Sequence, residues 1–152
     1  MLDLARVMAA HQALGAMRTA LRSTTDYLKS RRQFGVPLST FQDLTFRAAD
    51  MYVTLELTQS VVDWATMVVA TGDADALADA ASRCALQTSR GSRHVGQEAI
   101  QLHGGIAMTA EYAVGSLVTQ LTALDHLLGD GSHHLGRLAA TVTDHGMVDP
   151  LG

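Results

Sequence analysis

Apolar side chains recur at three- and four-residue spacing through almost the whole chain, and so long a helical rhythm leaves room for little but packed helices. Leu4, Val7, Met8, His11, Leu14, Met17, Leu21 and Leu28 predict a first helix from about residue 3 to 30. The rhythm stops in Gln33-Phe34-Gly35-Val36-Pro37-Leu38, because Gly35 frees the backbone and Pro37 cannot continue a helix. Ser39 or Thr40 is placed to cap a second helix, whose seam is Phe41, Leu44, Ala48, Met51, Leu55, Thr58, Val62, Ala65 and Val69. Gly72 ends it, and Asp73 or Asp75 opens a third that turns Leu77, Ala81, Cys84, Thr88, Gly91, Val95, Ala99 and Leu102 inward. Small residues on this seam would let a neighbouring helix come close. A fourth helix is predicted from about Thr109 to Leu128 and a shorter fifth from about Ser132 to Asp144. Long helices joined by short turns pack antiparallel. The expected fold is therefore all-α: an up-down antiparallel four-helix bundle with a short additional C-terminal helix, one domain over residues 1–152, and no sheet.

Composition matters mainly for what it excludes. A 47% hydrophobic and 17% charged chain buries a core rather than staying disordered. A net charge of −4 removes the electrostatic case for a nucleic acid or an anionic membrane as partner. Cys84 is the sole cysteine, so no internal disulfide can form, and its place on the third seam reads as a small buried hydrophobe. No apolar run reaches membrane-spanning length, and no basic-then-apolar leader opens the chain. A soluble cytoplasmic location is expected.

Two stretches are more specific than periodicity. One is Tyr27-Leu28-Lys29-Ser30-Arg31-Arg32-Gln33-Phe34-Gly35-Val36-Pro37-Leu38, followed by Phe41-Gln42. The other is Gln101-Leu102-His103-Gly104-Gly105-Ile106, continuing through Met108-Thr109 to Glu111-Tyr112. Read alone, an arginine pair at a helix end is a solvated face suited to the helix dipole, and a Gly-Gly pair is a C-cap and turn. Together, in this order, the two stretches resemble the acyl-CoA dehydrogenase family, and the likeness extends from Asp3 to about Leu138.

The resemblance implies the C-terminal helical bundle of a flavoenzyme subunit that also has an N-terminal helical domain and a middle β-domain. It implies FAD lying between domains and touching the bundle of a neighbouring subunit. It further implies an acyl-CoA substrate, a flavoprotein electron acceptor, and a homo- or hetero-oligomer of such subunits with the bundles at its core. On this reading Arg31, Gln33, Phe34, Gln101, Gly104 and Gly105 are the cofactor-side residues. A guanidinium such as that of Arg31 can hold a phosphate bidentately, and glycines let backbone N–H groups approach a diphosphate. Gln33 can hydrogen-bond a neighbouring oxygen, Phe34 offers an apolar wall, and Gln101 matches the family's adenine-side glutamine. Arg6 matches the arginine that lies near the substrate thioester; its plainer reading is a surface residue on a helix's first turn.

The pattern departs from the family where chemistry is concentrated. The catalytic glutamate of such enzymes stands either in the turn after the fourth helix or beside the arginine on the first. Leu128 and Ala5 occupy those positions here, and neither can accept a proton. Asp130 is the nearest acid to the first position and the one candidate base; its plainer role is to cap the fifth helix. Glu111 matches a structural position, and Ala107 replaces a common glycine. His126, His133 and His134 cluster near Asp130, but adjacent histidines on a helix diverge by about 100°. They read as surface or interface residues, and no metal is expected.

The ending Leu127-Leu128-Gly129-Asp130-Gly131-Ser132-His133-His134-Leu135 resembles an actinobacterial branch in which two unlike subunits pair on CoA thioesters of sterol side chains. One partner there has lost the base. Two readings follow: a part or partner subunit of an FAD-dependent dehydrogenase, or a scaffold of the same descent that binds no flavin. Apolar residues off the main seams, such as Val61, Met67, Val68, Leu86, Ile106 and Val118, predict association into a dimer or tetramer.

Overall fold

The computed structural model describes residues 1–108, 113–127, 129–144 and 146. It contains α1 (Leu2–Ser30), β1 (Arg32–Gln33), β2 (Val36–Pro37), α2 (Gln42–Thr71), α3 (Ala74–His103), α4 (Val114–Leu127) and α5 (Gly131–Ala140). Short 3-10 segments cover Leu38–Thr40, Gly104–Met108 and Val142–Asp144. No helix among the described residues is long and apolar enough to cross a membrane.

The bundle is antiparallel, as cross-helix contacts between distant positions show. His11 meets Thr66 and Arg18 meets Gln59, so α1 and α2 run in opposite directions. Arg47 meets Glu98 and Gln87 meets Thr58, which does the same for α2 and α3. The α3 helix touches all four others. The fourth column is built from two helices end to end. Leu121 of α4 lies beside Gly96, Gly131 of α5 beside Ser89, and Arg137 further along beside Asp79.

Close approach to α3 explains which residues of α1 are buried. Val7, Ala10, Leu14, Met17, Ala20, Thr24 and Leu28 face inward. Leu4, Met8 and His11, expected on the seam, are exposed instead, because alanines rather than the longer side chains meet the central helix. Gly91 on α3 shows how tightly both neighbours pack on it: a Cβ there would stand 3.6 Å from Met17 Sδ of α1 and 2.5 Å from Thr58 Oγ1 of α2. On α2 the expected seam holds, with Met51, Leu55, Thr58, Val62 and Ala65 fully inside. Of the apolar residues expected off the seams, Met67 is exposed, whereas Val61, Val68, Ile106 and Val118 pack against the core. The exposed apolar surface of α2 is Phe46, Tyr52, Val53, Leu57, Trp64 and Met67.

Three boundaries differ from expectation. The segment after α1 is a two-stranded antiparallel hairpin, with Arg32 opposite Pro37 and Gln33 opposite Val36, so the structure is not free of sheet. The Phe34-Gly35 tip turns in the left-handed region, at φ 54° and 82°, which lets the strands fold back on each other. Ser39 and Thr40 do not cap α2, since they belong to the 3-10 turn and Phe41 stands at the cap position. Asp73 does cap α3, its carboxylate accepting from the backbone N–H of Asp75 and of Ala76, both at 3.0 Å. The fifth helix is shorter than expected, ending at Ala140, while Thr109–Tyr112 and Leu128, at the expected ends of the fourth, lie outside the described residues.

Candidate functional site

Tertiary structure brings the two motif stretches together at one end of the bundle. The Tyr27 ring, near the C-terminus of α1, stacks on the imidazole of His103, the last residue of α3, at 4.6 Å between centroids and 22° between planes. His103 is buried and its Nδ1 lies 2.8 Å from the Ala99 carbonyl oxygen. From this joint the chain leaves α1 through Arg31, whose N–H bonds the Tyr27 carbonyl at 2.8 Å. The Arg31 carbonyl in turn accepts from Leu38 N–H at 2.8 Å, which closes the base of the hairpin. On the α3 side the chain turns at Gly104, at φ 64°, into Gly105.

Around that buried joint the polar and apolar tips all point outward. Arg31, Gln33, Gln101, Gly104 and Gly105 are exposed, and Phe34 is 91% exposed, an unusual setting for a large aromatic ring. Among the described residues the ring partner of Phe34 is Phe41, met edge-on with centroids 6.3 Å apart. Arg32 donates to the Gly35 carbonyl at 3.0 Å and so stiffens the hairpin, while Arg31 has no ion pair or side-chain hydrogen bond among the described residues. A Cβ built at Gly104 or Gly105 would meet nothing within 4 Å. The positive φ accounts for glycine at Gly104; internal packing does not demand it at Gly105. These residues suit an anion flanked by a flat apolar group: one free guanidinium, open backbone and an unclaimed aromatic face.

Arg6 is not in this group. It stands 25 residues before Arg31 on one helix, about 38 Å away at 1.5 Å per residue. It is also not the surface residue of the plainer reading. At 8% exposure its guanidinium pairs with Asp3 at 2.7 Å, and Arg137 of α5 approaches the same carboxylate at 3.7 Å. Arg6 lines a half-open cavity of about 30 Å³ together with Ser89, Ser92, Asp125, Gly129 and His134. That volume suits about one water molecule.

The cavity collects the region where the base was sought. Ala5 is the half-buried neighbour of Arg6, and Leu128 lies outside the described residues, as does Glu111. Asp130 is not among the cavity's lining residues. Its carboxylate accepts from His133 N–H at 2.8 Å and so caps α5, and that bond, with the nearby histidines, holds its carboxyl below the usual range. His134 was expected at the surface or an interface, yet it is fully buried and turned into the cavity. His133 stays outside, and the two rings meet edge-to-face at 84°. The burial of His134 follows from α5 packing on α3, and the sequence signal for it was Gly131, which lets α5 approach Ser89. Cys84 is buried, and burial pushes its thiol up to about 11, with the neighbouring Thr88 hydroxyl acting in the opposite direction. It is an inert core residue.

Known proteins match this geometry over nearly the whole chain. The family model described as acyl-CoA dehydrogenase, C-terminal domain, matches residues 1–143. The acyl-CoA dehydrogenase IpdE2 of Mycobacterium tuberculosis is 41% identical over 110 residues, which is 72% of this chain and 32% of that protein. Butyryl-CoA dehydrogenase from Megasphaera elsdenii superposes with a TM-score of 0.87 at 29% identity, over 93% of this chain and 37% of that one. The steroid ACAD Tcur3481-Tcur3483, as its G363A variant, superposes with a TM-score of 0.88 at 31% identity, over 94% of this chain and 39% of that one. The chain thus spans between about a third and two fifths of the length of these relatives. With the paired motifs joined at one end of the helical bundle, the chain belongs to the acyl-CoA dehydrogenase family, as its C-terminal helical domain.

Proposed function

We propose that this bundle supplies the diphosphate and adenine side of an FAD site in an oligomeric acyl-CoA dehydrogenase, together with part of the oligomer core. The observation that carries the reading is the outward group on the Tyr27–His103 joint: unpaired Arg31, exposed Phe34, and Gly105 open to solvent without an internal reason for its glycine. When bound, FAD supplies the hydride acceptor for dehydrogenation of an acyl-CoA thioester. The work of this chain is to hold it. Arg31 is placed to take a phosphate, Gln33 and Gln101 to hydrogen-bond it and the adenine, and Phe34 to cover an apolar ring. The exposed apolar face of α2 from Phe46 to Met67 supports association with another subunit.

Arg6 fits a role beside the thioester, inside the same subunit and far from the Arg31 group. Neither Ala5 nor Asp130 supports proton abstraction here, the first because it has no acid and the second because it is committed to the α5 cap. The proton acceptor would then come from a partner subunit. The relative Tcur3481-Tcur3483 is a steroid ACAD whose name joins two components, which supports a sterol-type CoA thioester and an unlike partner. The scaffold reading without flavin draws on the same missing base, but it leaves the free Arg31 and Gly105 without a purpose.

The test is flavin content. The 152-residue chain mixed with FAD is expected to show little binding and no acyl-CoA oxidation. An assembly with a flavin-domain-bearing partner should be yellow, and Arg31→Ala should lower its flavin occupancy. Full occupancy in that variant would defeat the cofactor role. Dehydrogenation by the chain alone, lost in Asp130→Asn, would show Asp130 to be the base after all.

A further inference from the structure

The Tyr27–His103 joint buries two polar rings where aliphatic side chains would fill the same space. Tyr27 is 8% exposed and His103 3%. Taking an imidazole out of water costs more than burying a leucine. The rings lie nearly parallel, with 22° between planes and 4.6 Å between centroids, so each limits how the other can slide or tilt. His103 is held a second time, because its Nδ1–H donates to the Ala99 carbonyl at 2.8 Å and fixes the turn of the ring.

Two arms leave this stack. The Tyr27 carbonyl accepts from the Arg31 N–H at 2.8 Å and from the Ser30 hydroxyl at 3.2 Å, so a shift of Tyr27 moves the base of the hairpin. His103 is followed directly by Gly104, whose N–H bonds back to the carbonyls of Ile100 and Gln101. The arms themselves are not tied to each other. Among the described residues, 31–37 make no hydrogen bond, ion pair or ring contact with 101–105.

We infer that Tyr27 and His103 are positioning residues: their stack sets the hairpin that carries Arg31 and Phe34 against the Gly104-Gly105 turn. The inference rests on the cofactor reading above and adds to it two residues that touch no cofactor. A binding group split between two chain segments keeps its geometry only when the side chains beneath it are locked. Here the locked side chains are the two rings, one at the root of each arm. The ring of Tyr27, rather than its hydroxyl, carries the effect.

The experiment reads the spacing between the arms. Spin labels are placed on Phe34→Cys and Gly105→Cys of the 152-residue chain, which is diluted into unlabelled chain, and their distance distribution is measured by double electron–electron resonance. Cys84 is buried and stays unlabelled. The parent should give one narrow distribution. Tyr27→Leu and His103→Ala should at least double its width, and Tyr27→Phe, which keeps the ring, should match the parent. Met17→Ala, a core change elsewhere, should lower the urea midpoint and leave the width unchanged. His103→Gln keeps a donor for the Ala99 carbonyl and loses the ring; it should broaden the distribution too, and it decides the matter if the other two variants do not fold. In an unlabelled assembly with a flavin-domain-bearing partner, Tyr27→Leu should lower flavin occupancy at least threefold, and Tyr27→Phe should not. The proposal is overturned by an unchanged width in the folded ring-loss variants or by equal broadening in Met17→Ala. Full flavin occupancy in Tyr27→Leu, where Arg31→Ala loses it, overturns it as well. Full occupancy in Arg31→Ala defeats the cofactor reading instead, and the label widths then still decide whether the stack sets the spacing.

Discussion

Arg6 and Arg31 sit on the same helix and reach opposite fates. Arg31 stands at the hairpin end among other exposed residues, with no ion pair or side-chain hydrogen bond among the described residues. Arg6 is buried against Asp3 in a cavity built by α1, α3, α4 and α5. The difference separates two kinds of functional residue. An outward group is cheap for the fold and can be changed without unfolding it. A buried polar group is part of the fold's own energetics, so any role it has in chemistry is inseparable from stability.

Substitutions can sharpen or break that contrast. The largest effect is expected at Met17, fully buried where α1 meets α3: Met17→Ala should cost about 2–5 kcal/mol in urea unfolding. Phe34→Ala, at the hairpin tip, should stay within about 0.5 kcal/mol of the parent. Equal losses at the two positions would mean that the hairpin end is part of the core and not a presented surface.

Next in size is the thiol. Cys84 ionises at 9.0 when unperturbed and only at about 11 in the fold. A raised pKa means that its contribution is fully present below pH 9 and is lost as pH climbs from 9 through 11. The loss should be about 3 kcal/mol, at roughly 1.4 kcal/mol per pH unit, and should be missing from the same titration of Cys84→Ala. Rapid reaction of Cys84 with a thiol reagent at neutral pH would contradict its burial.

Asp3→Ala removes the partner of a buried guanidinium and should cost about 1–3 kcal/mol, moderated because Asp3 is itself partly exposed. Arg31→Ala should leave the same unfolding curve in place, within about 0.5 kcal/mol. A matching loss at Arg31 would erase the distinction on which the cofactor reading rests. A smaller loss than at Asp3 is expected at Asp130, where Asp130→Ala should cost about 1 kcal/mol as a lost helix cap.

Residue order alone was enough for the helices, because a 3.6-residue rhythm and its breakers are local properties. The α2 and α3 seams from Met51 to Ala65 and from Ala81 to Leu102 follow from it directly. So do the Asp73 cap and the Gly72 stop, since a side-chain cap and a left-handed terminus depend on a few neighbouring residues. The two motif stretches were legible for the same reason: their outward residues are set by local turns. Tertiary structure decided the rest. It chose the alanine face of α1 over Leu4 and Met8, because distance between helix axes is a property of both partners. It stacked Tyr27 on His103, placed Arg6 inside, and turned His134 inward while leaving His133 out. Burial of a polar side chain depends on which helix arrives beside it, and no spacing within one segment encodes that arrival.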